Sequence, residues 1–164
     1  MSSRLRHEVA RLLSVIVFVC CGIGKAQSVN GTDTEAVQEK VTILEKGCVL
    51  SLRTFNVAQI TYWGGNETKG FARTFKQLGP DGEGVLNAAM VSGERDGYRF
   101  RLVPDKSVGE AHPIKHYKII AQPAKRLSRL QRSYYTDETG VIRFTEEKRE
   151  PASTDPPLEP PNER

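Results

Sequence analysis

The sequence predicts an α+β domain in which one long amphipathic helix packs on a small antiparallel sheet of three to four strands. Apolar residues recur at helical spacing between residues 34 and 62, and several later segments instead alternate apolar with polar residues. One helical segment followed by a run of strands is typical of α+β domains, whereas parallel sheets alternate strands with helices.

The predicted helix ends at Gly64 and Gly65, because glycine commonly follows the last periodic residue of a helix. At about 100° per residue, its apolar side chains form one stripe. The stripe consists of Val37, Val41, Leu44, Cys48, Leu52, Phe55 and Tyr62, with Gln59 as its one polar member. We expect Cys48 to be a buried core residue. Gly47, which costs about 1 kcal/mol relative to alanine in a helix, is interpreted as a bend.

Four segments predict strands: residues 98–102, 117–122, 133–136 and 141–145. The first two alternate apolar with charged or polar residues, and Pro104 and Pro123 stop them. The last two flank residues 137–140, whose acidic start and late glycine favour a hairpin turn. Residues 65–97 are predicted as an irregular connection, with a short helix from Glu83 to Val91.

Residues 1–26 have the pattern of a signal peptide, with a basic start, an apolar stretch and cleavage after Ala26. The apolar stretch is shorter than the ~20 residues that span a bilayer. We therefore expect no membrane span after cleavage and a periplasmic or extracellular protein. The alternative is a retained leader that anchors the chain in the inner membrane through residues 12–24. The rest is predicted as a linker (residues 27–33), a folded domain (residues 34–146) and a proline-rich disordered tail (residues 147–164).

The composition argues against a broad affinity for polyanions. Most of the formal net charge of +4 belongs to the signal peptide, so cleavage leaves a nearly neutral domain. Such a domain has no general attraction to nucleic acid or to a membrane surface. Cleavage also removes Cys20 and Cys21, and Cys48 alone cannot form an internal disulfide.

The sequence contains no nucleophile elbow, P-loop or dinucleotide-binding fingerprint. His112 and His116 have the i, i+4 spacing of helical metal ligands, but Pro113 between them favours a loop. We therefore expect a non-enzymatic protein with no cofactor and no metal site.

Two groups of residues are candidates for contact with a partner. The aromatic candidates are Trp63, Tyr134 and Tyr135, since aromatic residues are common at interface hot spots. The alternative is that these rings close the edge of the core. The basic candidates are Arg126, Arg129 and Arg132. They indicate either a patch for an acidic ligand such as DNA or a solvated connection between strands.

Two blocks of sequence resemble one family. The first is Ser51-Leu-Arg-Thr-Phe-Asn-Val-Ala-Gln-Ile-Thr-Tyr62, followed by Lys69-Gly-Phe-Ala72 and Leu78-Gly-Pro80. The second is Arg132-Ser-Tyr-Tyr-Thr-Asp-Glu-Thr-Gly-Val-Ile-Arg-Phe144, followed by Ala152-Ser-Thr-Asp-Pro-Pro-Leu158. They resemble the globular headpiece of bacterial type IV pilin-like and type II secretion pseudopilin-like proteins, which carry runs close to SLRTINTAQITY, RSFYTDQSGVIR and DPPL. The chain departs at Phe55 and Val57, where the family usually has isoleucine and threonine.

The resemblance implies a long helix on an antiparallel sheet and a role in protein–protein contacts at the cell envelope. The prepilin anchor, an apolar helix of about 20 residues that begins with Phe-Thr-Leu-Ile-Glu, has no match here. The expected function is therefore that of an exported, non-enzymatic pilin-like domain. One alternative is a membrane-tethered accessory subunit of a type II secretion or type IV pilus system. The other is a secreted binding module for an acidic ligand such as DNA.

Overall fold

A computed structural model describes residues 30–105 and 112–158. Its helices are α1 (Asn30–Gly65), α2 (Phe75–Leu78) and α3 (Ala88–Val91). Its strands are β1 (Glu94–Arg95), β2 (Tyr98–Pro104), β3 (Tyr117–Pro123), β4 (Ser133–Asp137) and β5 (Arg143–Thr145). The predicted signal peptide with its cleavage site after Ala26, the alternative anchor at residues 12–24 and the tail residues 159–164 lie outside the described residues.

The α+β class is confirmed, with α1 beside a five-stranded sheet in the order β1-β2-β3-β4-β5. All neighbouring strands are antiparallel. The prediction of three to four strands is wrong because it missed β1, whose two residues are exposed and carry no apolar alternation. Asp96 and Gly97, both at positive φ, form the two-residue turn that pairs Arg95 with Tyr98.

The predicted stripe of α1 forms one side of the core. Its fully buried members are Val41, Cys48, Leu52, Phe55 and Tyr62, and Leu44 is partly buried against the same core. The prediction for Val37 is wrong: this residue is 41% exposed, because the burial of α1 begins only at Val41. The helix also begins at Asn30, inside the predicted linker, and Asp33 in its first turn suits the positive end of the helix dipole.

Aromatic rings and buried amides join α1 to the rest of the fold. The Phe55 ring stacks on Phe75 with 4.4 Å between centroids. The buried Gln59 amide accepts a hydrogen bond from the Ala72 N–H at 2.8 Å and donates one to the Ala72 carbonyl at 3.1 Å. The Asn56 amide donates to the Thr136 hydroxyl at 2.8 Å and so links α1 to β4. These contacts fix the rotation of α1 about its own axis relative to the sheet.

The predicted tail is ordered as far as Leu158, so the prediction of disorder is wrong for residues 147–158, which we call the C-terminal strap. Glu150 forms ion pairs with Arg101 and Lys118 on the sheet face opposite α1. At the end of the strap, the Leu158 N–H donates to the Ile142 carbonyl at 2.7 Å, beside β5. The composition concealed this order because charge-assisted hydrogen bonds, rather than a periodic apolar face, hold the segment.

One buried carboxylate organises the C-terminal strap. Asp155 accepts hydrogen bonds from the Arg149 guanidinium at 3.0 Å and from the Ala152 N–H at 2.7 Å. The hydrogen bond from Arg149, assisted by that from Ala152, lowers the pKa of the Asp155 carboxyl. Arg143 also donates to the Asp155 carbonyl at 2.9 Å, which ties the strap to β5.

Candidate protein-contact surface

The face of α1 that points away from the core carries a row of exposed aliphatic side chains. Ile43, Leu50 and Val57, which we call the α1 ridge, are each 59% to 62% exposed. Residues seven apart on an α-helix differ by only about 20° in direction, so the three side chains lie in one line. The line covers about 21 Å at a rise of ~1.5 Å per residue. Ile60 lies beside it and is similarly exposed.

Threonines next to the α1 ridge add apolar rather than polar surface. The hydroxyls of Thr42, Thr54 and Thr61 each donate to a backbone carbonyl four residues earlier at 3.0 Å. Because this internal bond satisfies the hydroxyl proton, what each side chain offers a partner is chiefly its methyl group. The exposed face of α1 is thus more apolar than its composition indicates.

The charged side chains that flank the α1 ridge from Lys40 onward are basic, and the exposed carboxylate of Glu39 precedes them. Lys40, Lys46 and Arg53 are exposed and form no ion pair with another described residue. Glu45 is the one carboxylate of α1 between Lys40 and Gly65, and it accepts a hydrogen bond from the Arg132 N–H at 2.8 Å. The exposed side of this part of α1 is therefore apolar along its middle and positive along its flanks.

Sequence reasoning predicted Trp63 as a partner contact, and the side chain is accessible, with 49% of its surface exposed. Its ring lies 6.1 Å from the Phe71 ring, measured between centroids. Trp63 thus rests against the domain at the end of α1 while half of it stays open to solvent. Its role as a contact stays a prediction.

Tyr134 and Tyr135, the other two aromatic residues predicted as contacts, are buried in the structure, with only 1% and 8% of their surface exposed. Tyr134 points to the α1 side of the sheet and lies against Tyr98, with 6.0 Å between ring centroids. Tyr135 points to the other side, where its hydroxyl donates to Asp137 at 3.1 Å. Burial raises the pKa of Tyr134 well above its ordinary value and that of Tyr135 to about 12.

Two of the three predicted basic contacts hold the fold together. The Arg126 guanidinium donates to the carbonyls of Gln131 at 2.5 Å and Glu146 at 3.3 Å. Arg132 forms an ion pair with Glu146 at 3.3 Å and lies 4.4 Å from the centre of the Phe144 ring. Of the three arginines, only Arg129 is exposed, and Arg126 and Arg132 are half-buried. The three arginines do not form one uncommitted patch for an acidic ligand.

A groove of about 440 Å³ runs between α1 and the end of the C-terminal strap. We call it the helix–strap groove. Val49 and Leu50 of α1 line it on one side, and Tyr134 and Leu158 line it on the other. Lys46, Arg53 and Arg132 also border it. Because Leu50 belongs to both features, the groove continues the α1 ridge toward the sheet.

A concavity of about 370 Å³ at the other end of the sheet includes His116. The His116 Nδ1 lies 2.6 Å from the Glu138 carboxylate, which also accepts from the Tyr117 N–H at 3.3 Å. His116 is thus paired with Glu138, and Tyr135 with Asp137, within this concavity. No group of three or more metal-ligating side chains gathers anywhere in residues 30–105 and 112–158.

The α1 ridge contains none of the contacts predicted from the sequence, whereas the helix–strap groove is lined by two of them, Arg132 and Tyr134. The signal for the α1 ridge is present in the sequence as the seven-residue spacing of Ile43, Leu50 and Val57. It was hidden because the opposite stripe of the same helix is longer and more regular. The helix–strap groove has no local signal, because Leu158 is more than a hundred residues from Val49 in the chain.

No family model, curated protein or solved structure matches this chain. The likeness to pilin and pseudopilin headpieces therefore rests on the two sequence blocks. In the described part of the chain, no helix combines the length and the apolar content that a bilayer span requires.

Proposed function

We propose that this chain is an exported, non-enzymatic domain, similar to a pilin or pseudopilin headpiece, that acts through protein–protein contact at the α1 ridge. The observation that carries the proposal is the line of exposed Ile43, Leu50 and Val57 on a rigid helix. Long exposed aliphatic rows mark interaction sites because they are costly to leave in water. A partner that covers the ridge removes this cost.

The sheet edges support the same conclusion, because they offer little room for a partner strand. One edge is β1, which has only two residues. At the other edge, residues 156–158 of the C-terminal strap cover β5, and the Phe144 N–H already donates to the Pro156 carbonyl at 3.1 Å. Proline has no N–H to donate and is common where edge pairing ends. The helix face is therefore the better contact surface.

The resemblance adds a second line of support. Val57 stands where the resembling proteins usually have threonine, and Val57 is the third member of the α1 ridge. The substitution makes the exposed face of α1 more apolar, which favours a contact at this face. The alternative of a DNA-binding module has less support, because Arg126 and Arg132 form the internal contacts described above.

The experiment compares Leu50→Glu with Leu130→Glu in the full chain, produced in its own source cell. Leu130 is 60% exposed and lies outside α1, so it matches Leu50 in exposure and in the chemistry of the change. We expect the unaltered chain and the Leu130→Glu variant to migrate as a complex larger than the monomer, and Leu50→Glu to migrate as a monomer. An unaltered chain that is monomeric, or a Leu50→Glu variant that keeps the complex, would contradict the proposal.

Export is tested separately by sequencing the N-terminus of the protein and assigning its cell fraction. The proposal expects a start at Gln27 in a soluble periplasmic or extracellular fraction. An intact leader in the inner membrane would instead support the membrane-tethered accessory subunit.

A further inference from the structure

We infer that the helix–strap groove binds an acidic segment of a partner protein that inserts an apolar side chain between α1 and Leu158. This inference rests on the proposed function and identifies the chemistry of the partner. It depends on two features of the same site: an apolar floor and a positive rim that has no ion-pair partner among the described residues.

The floor of the groove suits an aliphatic or aromatic side chain. Val49 and Leu158, which line it, are partly buried against the main core, and Tyr134, which also lines it, is a buried member of that core. A volume of about 440 Å³ is within the range of roughly 300–1,000 Å³ that is usual for ligand pockets. An inserted side chain would remove apolar surface from water on both walls, which is the main favourable contribution to such contacts.

The rim of the groove selects for negative charge. Lys46 and Arg53 lie one above the other along α1 on the side that faces the groove. Neither forms an ion pair with a described residue, whereas Arg132 is paired with Glu146. Glu45, the one carboxylate among the described residues that line the groove, is held by the Arg132 backbone N–H. Two cations that no described carboxylate pairs with, next to an apolar floor, favour an occupant with acidic side chains around an apolar one.

The charge pattern disfavours a second copy of the chain as the occupant. Pairing two α1 helices along their ridges would bring Lys46 and Arg53 of one copy near the same residues of the other. Like charges across an interface cost free energy and exclude such partners. The concave shape also disfavours an anionic bilayer, since a flat lipid surface contacts convex ridges and does not enter a groove walled on both sides.

The test titrates the purified full chain with a dye-labelled peptide, Asp-Asp-Leu-Phe-Asp-Asp, and measures fluorescence anisotropy. We expect saturable binding that weakens as salt is added. The affinity of the double variant Lys46→Glu/Arg53→Glu for this peptide should be lower by a factor of about ten or more. The matched control Lys125→Glu/Lys148→Glu makes the same change in net charge away from the groove and should bind like the unaltered chain.

A reversed pair of charges makes the test specific for the rim. The peptide Lys-Lys-Leu-Phe-Lys-Lys should bind Lys46→Glu/Arg53→Glu better than it binds the unaltered chain. A peptide with serines in place of Leu-Phe should lose binding to both proteins. Equal affinity of the acidic peptide for the two double variants would overturn the inference, because binding would then not depend on the groove.

Two further arms identify other occupants. Binding to phosphatidylglycerol vesicles without binding to the acidic peptide would assign the surface to lipid and overturn the inference. Peptide binding by a chain that ends at Leu158, but not by the full chain, would assign the groove to residues 159–164 and also overturn it.

The outcome is separable from that of the proposed function. If Leu50→Glu dissociates the complex in the source cell while Lys46→Glu/Arg53→Glu leaves it intact, the contact at the α1 ridge stands and the acidic partner is wrong. If Leu50→Glu leaves the complex intact, the proposed function is wrong. The peptide titration still measures binding at the groove in that case.

Discussion

Replacing Gly47 by alanine should destabilise this protein, although alanine is the better helix former. Gly47 lies in α1 next to the β1–β2 turn, and a Cβ at this position would lie 3.0 Å from the Cβ of Asp96 and 2.9 Å from its Cγ. The gain in helix propensity is about 1 kcal/mol. Overpacking in a tight contact costs about 1–3 kcal/mol. We therefore expect Gly47→Ala to lower the free energy of unfolding by about 1 kcal/mol.

The sign should reverse when the Asp96 side chain is absent. Asp96 has a φ of 50°, which glycine adopts without strain, so Asp96→Gly keeps the turn and removes the atoms that oppose a new Cβ. In that background Gly47→Ala should raise the free energy of unfolding by about 1 kcal/mol, which is the propensity gain alone. The coupling free energy between the two positions is then about 2 kcal/mol.

Urea unfolding followed by circular dichroism measures all the variants of this cycle. Asp96→Asn is the matched control, because asparagine keeps the Cβ and Cγ of aspartate and tolerates positive φ. Gly47→Ala should remain destabilising beside it. Equal stabilisation of the unaltered protein, the Asp96→Asn variant and the Asp96→Gly variant by Gly47→Ala would contradict the predicted clash, because the turn would then move away from α1 at no cost in free energy.

Three further predictions follow from buried polar groups. Gln59→Leu leaves the Ala72 N–H and carbonyl without their partner and should lower the free energy of unfolding by about 1–3 kcal/mol for each group. The control Ile60→Leu on the exposed face should change this free energy little in the same urea titration. Asp155→Asn should lower the melting temperature at neutral pH. The difference in melting temperature from the unaltered protein should shrink as the pH falls below the ordinary carboxyl pKa of 3.8. The reason is that the lowered pKa of Asp155 contributes stability only while its carboxylate stays ionised. The raised pKa values of Tyr98, Tyr117, Tyr134 and Tyr135 should make stability fall as the pH rises above about 10, with phenolate absorbance appearing together with unfolding. Phenolate absorbance from all tyrosines at full native ellipticity would contradict this last expectation.

The sequence predicted the elements whose stability comes from a periodic apolar face. The inward stripe of α1 and the alternation in β2 and β3 follow from burial on one side, which the residue pattern records directly. β1 left no such record, because Glu94 and Arg95 are exposed and the strand depends on the positive φ of Asp96 and Gly97. A turn of Asp and Gly is a hairpin signal, but only when the flanking residues are read as strands.

The tyrosine pair shows why exposure was harder to predict than secondary structure. Adjacent residues of a strand point to opposite faces, so one of Tyr134 and Tyr135 had to face the core and the other to face away from it. The outward residue, Tyr135, would be exposed if the sheet had a bare outer face. The C-terminal strap lies over that face, and its position depends on ion pairs between residues far apart in the chain, such as Arg101 with Glu150. No local pattern reports such a contact.

The same limit explains why the residue pattern did not predict the α1 ridge. Aromatic and basic residues were chosen by type, yet residue type does not tell which side of an element meets the core. The two departures from the pilin-like pattern illustrate the difference. Phe55 points inward and stacks on Phe75, so it contributes to the stability of the domain. Val57, two residues later, points outward on the α1 ridge, where it adds nothing to the core and enlarges the surface that a partner would cover. The two departures thus lie on opposite faces of α1, and only the rotation of α1 about its axis, fixed by Gln59 and Asn56, separates the residue that supports the fold from the residue that stays exposed.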